Sequence, residues 1–235
     1  MATQLNLEEQ EQLDSLKAFW NKQGSLITWT LVLVLGGFAG WNGWNYWQRE
    51  QAVKAGAMFE DLDRAAAAGD AEKTARVFAD MQQRFPKVSI TQQGGLTAAK
   101  LQVDKGQADA AKASLTWVAA NGAEEEIRSI ARLRLAAVLA DAKQFDEALK
   151  VLEASKSPEF TALVADRRGD VLMAQGKTDE ARNAWQAAYA AMDVKVDYRR
   201  LIEAKLTSIG AAPGTASVVA PAAAAATAAA SGASK

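Results

Sequence analysis

Cysteine and histidine are both absent from the 235 residues, and the two absences exclude more chemistry than most features that are present could support. Disulfides, thiolate nucleophiles, imidazole acids and bases, and most transition-metal ligand sets are removed together. A cysteine-free chain suits an oxidising compartment without requiring one. An enzyme built on what remains would need a carboxylate pair or a Ser-Lys arrangement, and no short motif marks either. Neither catalysis, a cofactor nor a metal is therefore expected. The formal net charge is -1, so no basic excess points to nucleic acid. Proline stands only at positions 86, 158, 213 and 221, which leaves Leu7 to Phe85 free of that interruption to a helix.

Charge is also missing locally. None occurs between Lys22 and Arg49, and Leu26 to Trp47 is predominantly apolar. At about 1.5 Å of rise per residue this stretch covers roughly 33 Å, enough to cross a hydrocarbon core of about 30 Å once. Trp20 flanks one end and Trp41, Trp44, Tyr46 and Trp47 the other, while Lys22 and Arg49 can snorkel outward. Five of the seven tryptophans lie between positions 20 and 47, the bias expected of aromatic belts. A cleaved signal peptide fits less well. Glu8, Glu9, Glu11 and Asp14 replace a basic leader, and the run ends in Trp and Asn rather than in a small-residue cleavage site. Residues 25–48 are accordingly read as a retained transmembrane helix in the lipid bilayer.

The flanking segments read as helix too. Asn6 can cap a short helix with Glu9 as its capping-box partner, placing Leu13, Leu16 and Trp20 on one face against the bilayer surface within a tail of residues 1–24. Beyond the span, helix continues from Arg49 to Ala68, Gly69 ends it, and Asp70 caps a second helix that runs to Phe85. Gly94 and Gly95 are expected to loosen the next segment. Ser157 and Pro158 form a helix start, with a capping hydroxyl followed by proline at the first helical position. The Ala-rich tail, residues 211–235, lacks large side chains to bury and is expected to be disordered.

A weak internal repeat organises residues 49–210. Gly169, Leu172, Gly176, Ala181, Trp185 and Ala188 have the spacing of a tetratricopeptide unit. Thirty-three residues earlier stand Ala136, Leu139, Ala148 and Leu152, close to the period of about 34 for that repeat. An earlier copy offers Ala99, Gly106, Ala111 and Leu115, and a degenerate one spans Met58 to Phe85 with Gly69 and Ala75 near the key positions. Each unit is a helix pair that buries its apolar face only against neighbours. The fold class is thus all-α: one N-terminal transmembrane helix followed by a tetratricopeptide-like α-solenoid. Leu172, Trp185, Ala148 and Ala181 are assigned to core, and Trp117 to core or groove.

The run from Val164 to Lys177, continuing through Ala181, Arg182, Asn183, Ala184 and Trp185, resembles the C-terminal signature of the ancillary subunit of the bacterial Sec translocon. The acidic N-terminal tail, the single span ending in tryptophans and the degenerate repeats extend the resemblance over residues 10 to 208. It implies an inner-membrane protein with a cytoplasmic N-terminus and a periplasmic body, whose partners are the Sec translocon and a membrane-anchored periplasmic chaperone. No catalytic residues follow from it. Loop charge leaves orientation open, because Lys17, Lys22 and the amino terminus stand against Arg49 and Lys54. An anchor for another cell-envelope or division complex would share this architecture.

Two binding surfaces are expected. The first helices of the repeats would line a concave groove with Lys100 and Asp104, then Leu133 and Asp141, then Asp166, Asp170 and Met173, suited to holding a peptide. The plainer reading of these charges is an ordinary solvated face. In the span, Gly36, Gly40 and Gly43 fall on one stripe where another helix backbone can approach closely, although glycine is common in membrane helices generally.

Overall fold

The computed structural model describes residues 7–212, with side chains from Glu11 onward, and the chain falls into two compact units divided between Lys54 and Ala55. Asn6, the Glu9 side chain and residues 213–235 lie outside the described residues, so the expected capping box and most of the Ala-rich tail do too.

The first unit belongs to α1 (Leu7–Ala67), a helix long and apolar enough to cross a membrane. Its large apolar side chains are open on every face, from Leu26 through Trp29, Leu33 and Phe38 to Trp41. A soluble core helix would bury one of those faces. The polar groups of the span bond within the helix: Thr28 and Thr30 donate to the carbonyls of Gly24 and Leu26, and Asn42 donates to that of Phe38. Such back-bonding leaves few donors facing lipid unsatisfied. The helix expected in the tail runs into the span without a break. Leu13, Leu16 and Trp20 lie on the same unbroken α1, because no proline intervenes and the Trp20 ring packs against Gly24.

In the second unit the end of α1 is followed by α2 (Ala71–Arg84), α3 (Ser89–Asp104), α4 (Ala108–Asn121), α5 (Glu125–Asp141), α6 (Phe145–Glu153), α7 (Thr161–Ala174), α8 (Thr178–Ala191) and α9 (Tyr198–Ser208). No strand occurs among the described residues. The repeat is written most clearly in the backbone. Gly69, Gly106, Lys143, Gly176 and Gly210 all have positive φ, at successive spacings of 37, 37, 33 and 34. Each is followed by the same bond, from the next N–H to the carbonyl five residues back: Asp70 to Ala65, Gln107 to Gln102, Gln144 to Leu139, Lys177 to Leu172 and Ala211 to Leu206. This is the helix-ending motif that favours glycine; Lys143 adopts it with a side chain.

Core positions recur around that residue. Seven before it stand Leu62, Ala99, Ala136 and Gly169; nine after it stand Phe78, Leu115, Leu152 and Trp185; all are buried. Five after it come Thr74, Ala111, Ala148 and Ala181, also buried. Thr74 therefore holds the place expected for Ala75 in the first copy, and its hydroxyl donates to the Asp70 carbonyl while the Asp70 side chain accepts from the Lys73 N–H as the expected cap. Leu172, Trp185, Ala148 and Ala181 are core as expected, and Trp117 packs edge-on to Phe78 with ring centroids 5.6 Å apart.

Two local expectations fail. Gly94 and Gly95 do not loosen the chain. They are buried inside α3, where a Cβ on Gly95 would come within 2.5 Å of Val118 and 2.7 Å of Phe78, so glycine here serves close helix approach. Ser157 precedes a 3-10 turn (Pro158–Phe160) rather than an α-helix, and its hydroxyl makes no capping bond, although proline does take the first position.

The helix α9 occupies the place of a fifth first helix. Glu203, seven before Gly210, is exposed where every earlier pair buries a residue, which gives the array a polar end.

Candidate functional site

The first helices of pairs two to four, α3, α5 and α7, line an open groove of about 250 Å³. Lys100, Val103 and Asp104 come from α3; Leu133, Arg134, Val138 and Asp141 from α5; Arg167 from α7. Helical spacing explains the convergence, since Lys100, Val103 and Asp104 stand at i, i+3 and i+4 on α3 and Arg134, Val138 and Asp141 at i, i+4 and i+7 on α5.

The spacing of α3 and α5 is fixed by a polar clasp. Buried Gln92 of α3 accepts from the Ala123 N–H at 3.0 Å and donates to the Asn121 carbonyl at 3.4 Å, holding the turn between α4 and α5. At the start of α5, Glu125 accepts from Arg128 at 2.7 Å, from Arg132 at 2.6 Å and from the Lys156 N–H at 3.3 Å. These donors, Arg128 first, hold the Glu125 carboxyl down to about 2, against an ordinary value of 4.5. A depressed carboxylate stabilises the fold above its unfolded value and loses that contribution as pH falls from about 4.5 toward about 2. Thermal melting of Glu125→Gln in mild detergent should show a lower midpoint than the parent at pH 7, with the gap narrowing as pH falls below about 4.5 and closing only below about pH 2; a gap independent of pH would contradict the pairing.

Lys100, Asp104, Leu133 and Asp141 thus share one groove. Met173 lies exposed on α7 outside its lining. Asp166 and Asp170 do not join it, contrary to the sequence reading. Asp166 is 1% exposed and accepts from Tyr198 Oη at 2.8 Å and from Lys205 Nζ at 2.8 and 2.9 Å. Asp170 accepts from Lys205 Nζ at 2.6 Å and from Trp185 Nε1 at 3.2 Å. An unpaired carboxylate would not stay buried, and α9 supplies the counter-charge. Burial and the bond to Asp166 push the Tyr198 hydroxyl up to about 12. The sequence reading missed Arg134 and Arg167, which recur 33 residues apart, nine before Lys143 and Gly176. That recurrence was the available signal.

On α1, a Cβ added at Gly36, Gly40 or Gly43 would meet nothing within 4 Å, so this stripe is open in the single chain.

The family described as a tetratricopeptide repeat-like domain matches residues 17–211. The chain is 30% identical over 183 residues to the ancillary SecYEG translocon subunit of Haemophilus influenzae, covering 78% of this chain and 89% of that protein. It belongs to the ancillary SecYEG translocon subunit family. The family member from Neisseria gonorrhoeae is 29% identical over 205 residues, 87% of this chain and 98% of its own length. That from Escherichia coli is 28% identical, with 86% of this chain and 96% of its own length covered. The family model covers both the apolar helix and the repeats, and the relatives are named for a place in an assembly rather than for a reaction.

Proposed function

We propose that this chain is a non-enzymatic scaffold of the bacterial inner membrane that attaches to the Sec translocon and links exported proteins to a membrane-anchored periplasmic chaperone. The observation that carries the reading is the match to ancillary translocon subunits over nearly their full length. In this reading residues 1–24 are cytoplasmic, 25–48 span the bilayer once, and 49–210 work in the periplasm. The glycine stripe accepts a helix of a membrane partner, since in lipid close packing rather than apolarity drives association. The groove with Lys100, Asp104, Leu133 and Asp141 receives a peptide segment. Met173, exposed on the same helix as Arg167, is taken to extend the same contact.

Protease added outside spheroplasts tests the orientation: the body after Trp47 is degraded while the inner membrane is intact, and its protection would overturn the assignment. Gly36→Leu with Gly40→Leu tests the anchor. Recovery of membrane partners in mild detergent should fall severalfold while the melting of the body is unchanged, and undiminished recovery would remove the stripe from the account.

A further inference from the structure

The charges around the groove are arranged in two rims and are left largely without partners. Arg134 and Arg167 each stand nine residues before the left-handed residue of their repeat, whereas Asp104 and Asp141 each stand two before. Seven residues of helix separate the two registers by about 10.5 Å along the helix axes. With α3, α5 and α7 adjacent, one rim is basic and the other acidic. Lys100 lies between the rows, and the floor between them is apolar, with Leu115, Leu133 and Val138.

Some exposed charges elsewhere pair on their own helix, as Glu50 does with Lys54, Glu72 with Arg76 and Asp179 with Arg182. Around the groove Lys100, Asp104, Arg134 and Asp141 do not, and only Arg167 does. Lys100 and Asp104 have i,i+4 spacing yet form no ion pair, and Asp141 has none either among the described residues. Arg134 makes only a 3.4 Å bond to the Leu96 carbonyl. Arg167 approaches Asp170 at 3.6 Å, and its buried Nε has no hydrogen-bond partner. A guanidinium left this way is matched by a carboxylate, which can take two of its N–H groups at once.

Resting on the peptide groove proposed above, we infer that the groove selects extended segments in which two apolar residues are flanked by an acidic residue on the Arg134 and Arg167 side and a basic one on the Asp104 and Asp141 side. The dimensions set this spacing. At about 3.3 Å per extended residue, a separation of about 10 Å is three residues. The volume of about 250 Å³ is below the range of about 300–1,000 Å³ for small-molecule pockets, so it takes side chains rather than a whole ligand. Charge complementarity then supplies selection more than strength.

Fluorescence anisotropy on the full chain in mild detergent tests it with four labelled peptides sharing a Leu-Val centre: Glu-Leu-Val-Lys, Glu-Leu-Val-Glu, Lys-Leu-Val-Lys and Gln-Leu-Val-Gln, each flanked by glycines. The mixed-charge peptide binds at least threefold tighter than the others at low salt, and the advantage shrinks at high salt. Arg134→Glu with Arg167→Glu moves the preference to the all-basic peptide, and Asp104→Lys with Asp141→Lys moves it to the all-acidic one. A merely structural role could not produce this exchange of preference. Equal binding of all four peptides, or reversals that leave the order unchanged, overturns the rim assignment. Val138→Arg, which fills the floor, separates that failure from a deeper one: if it abolishes binding the groove stands and only its polarity is wrong. If it leaves binding intact, or if no peptide binds the parent chain, the groove reading fails as well.

Discussion

Gly169→Leu disrupts the last helix pair and lowers the melting midpoint of the protein in mild detergent by roughly 2–12 °C, the shift expected when overpacking costs about 1–3 kcal/mol in a body of this size. A Cβ at this position already collides with Cδ1 and Nε1 of Trp185, so no rotamer of leucine can be accommodated without moving α7 from α8. The other pairs divide the same space differently, with Ala99 beside Leu115 and Ala136 beside Leu152 in the equivalent registers. Gly169→Ala alone should therefore destabilise, and Gly169→Ala with Trp185→Leu should recover most of the loss by copying those pairs. An unchanged midpoint for Gly169→Leu would show that the repeat register is wrong.

Lys205→Met has the other large effect. It removes the cation that bonds both Asp166 and Asp170, leaving a carboxylate that is 1% exposed without this charge partner. Breaking a buried pair from one side costs about 3–5 kcal/mol, and adding Asp166→Asn should return much of it because the uncompensated charge is then gone. Chemical denaturation reads both variants. Equal stability of Lys205→Met and the parent would remove α9 from its role as the closing helix. The same cluster carries an alkaline signature. Because the Tyr198 hydroxyl is raised from 10.0 to about 12 in the fold, its contribution is fully present below pH 10 and is lost as pH rises from 10 to about 12.

Much of this fold was legible because its repeating unit ends each first helix in the same way. Gly69, Gly106 and Gly176 announced those ends, and the buried alanines five residues later gave the register from Ala111 onward. The first copy slipped by one because Thr74 fills its small-residue position with a polar side chain that bonds backward to Asp70. Gly94 and Gly95 misled because a glycine pair is a breaker by local propensity, and only the neighbouring Phe78 and Val118 turn the missing Cβ atoms into a packing device. Asp166 and Asp170 misled for a related reason. Their position in the repeat faces the groove in earlier units, but α9 follows them, and sequence spacing does not reveal a tertiary counter-charge more than 30 residues away. The span was the clearest element, since a charge-free run with aromatic ends needs no partner to be recognised.

The central claim is attachment to the Sec translocon through both anchor and body, and site-directed photocross-linking in intact cells tests it most directly. A photoreactive residue at Gly40, in the span, and another at Val138, in the groove, should yield adducts in which mass spectrometry identifies translocon subunits from the first position and exported chains or a periplasmic chaperone from the second. Adducts at both positions drawn from a different cell-envelope or division complex, with no translocon subunit among them, would contradict the account.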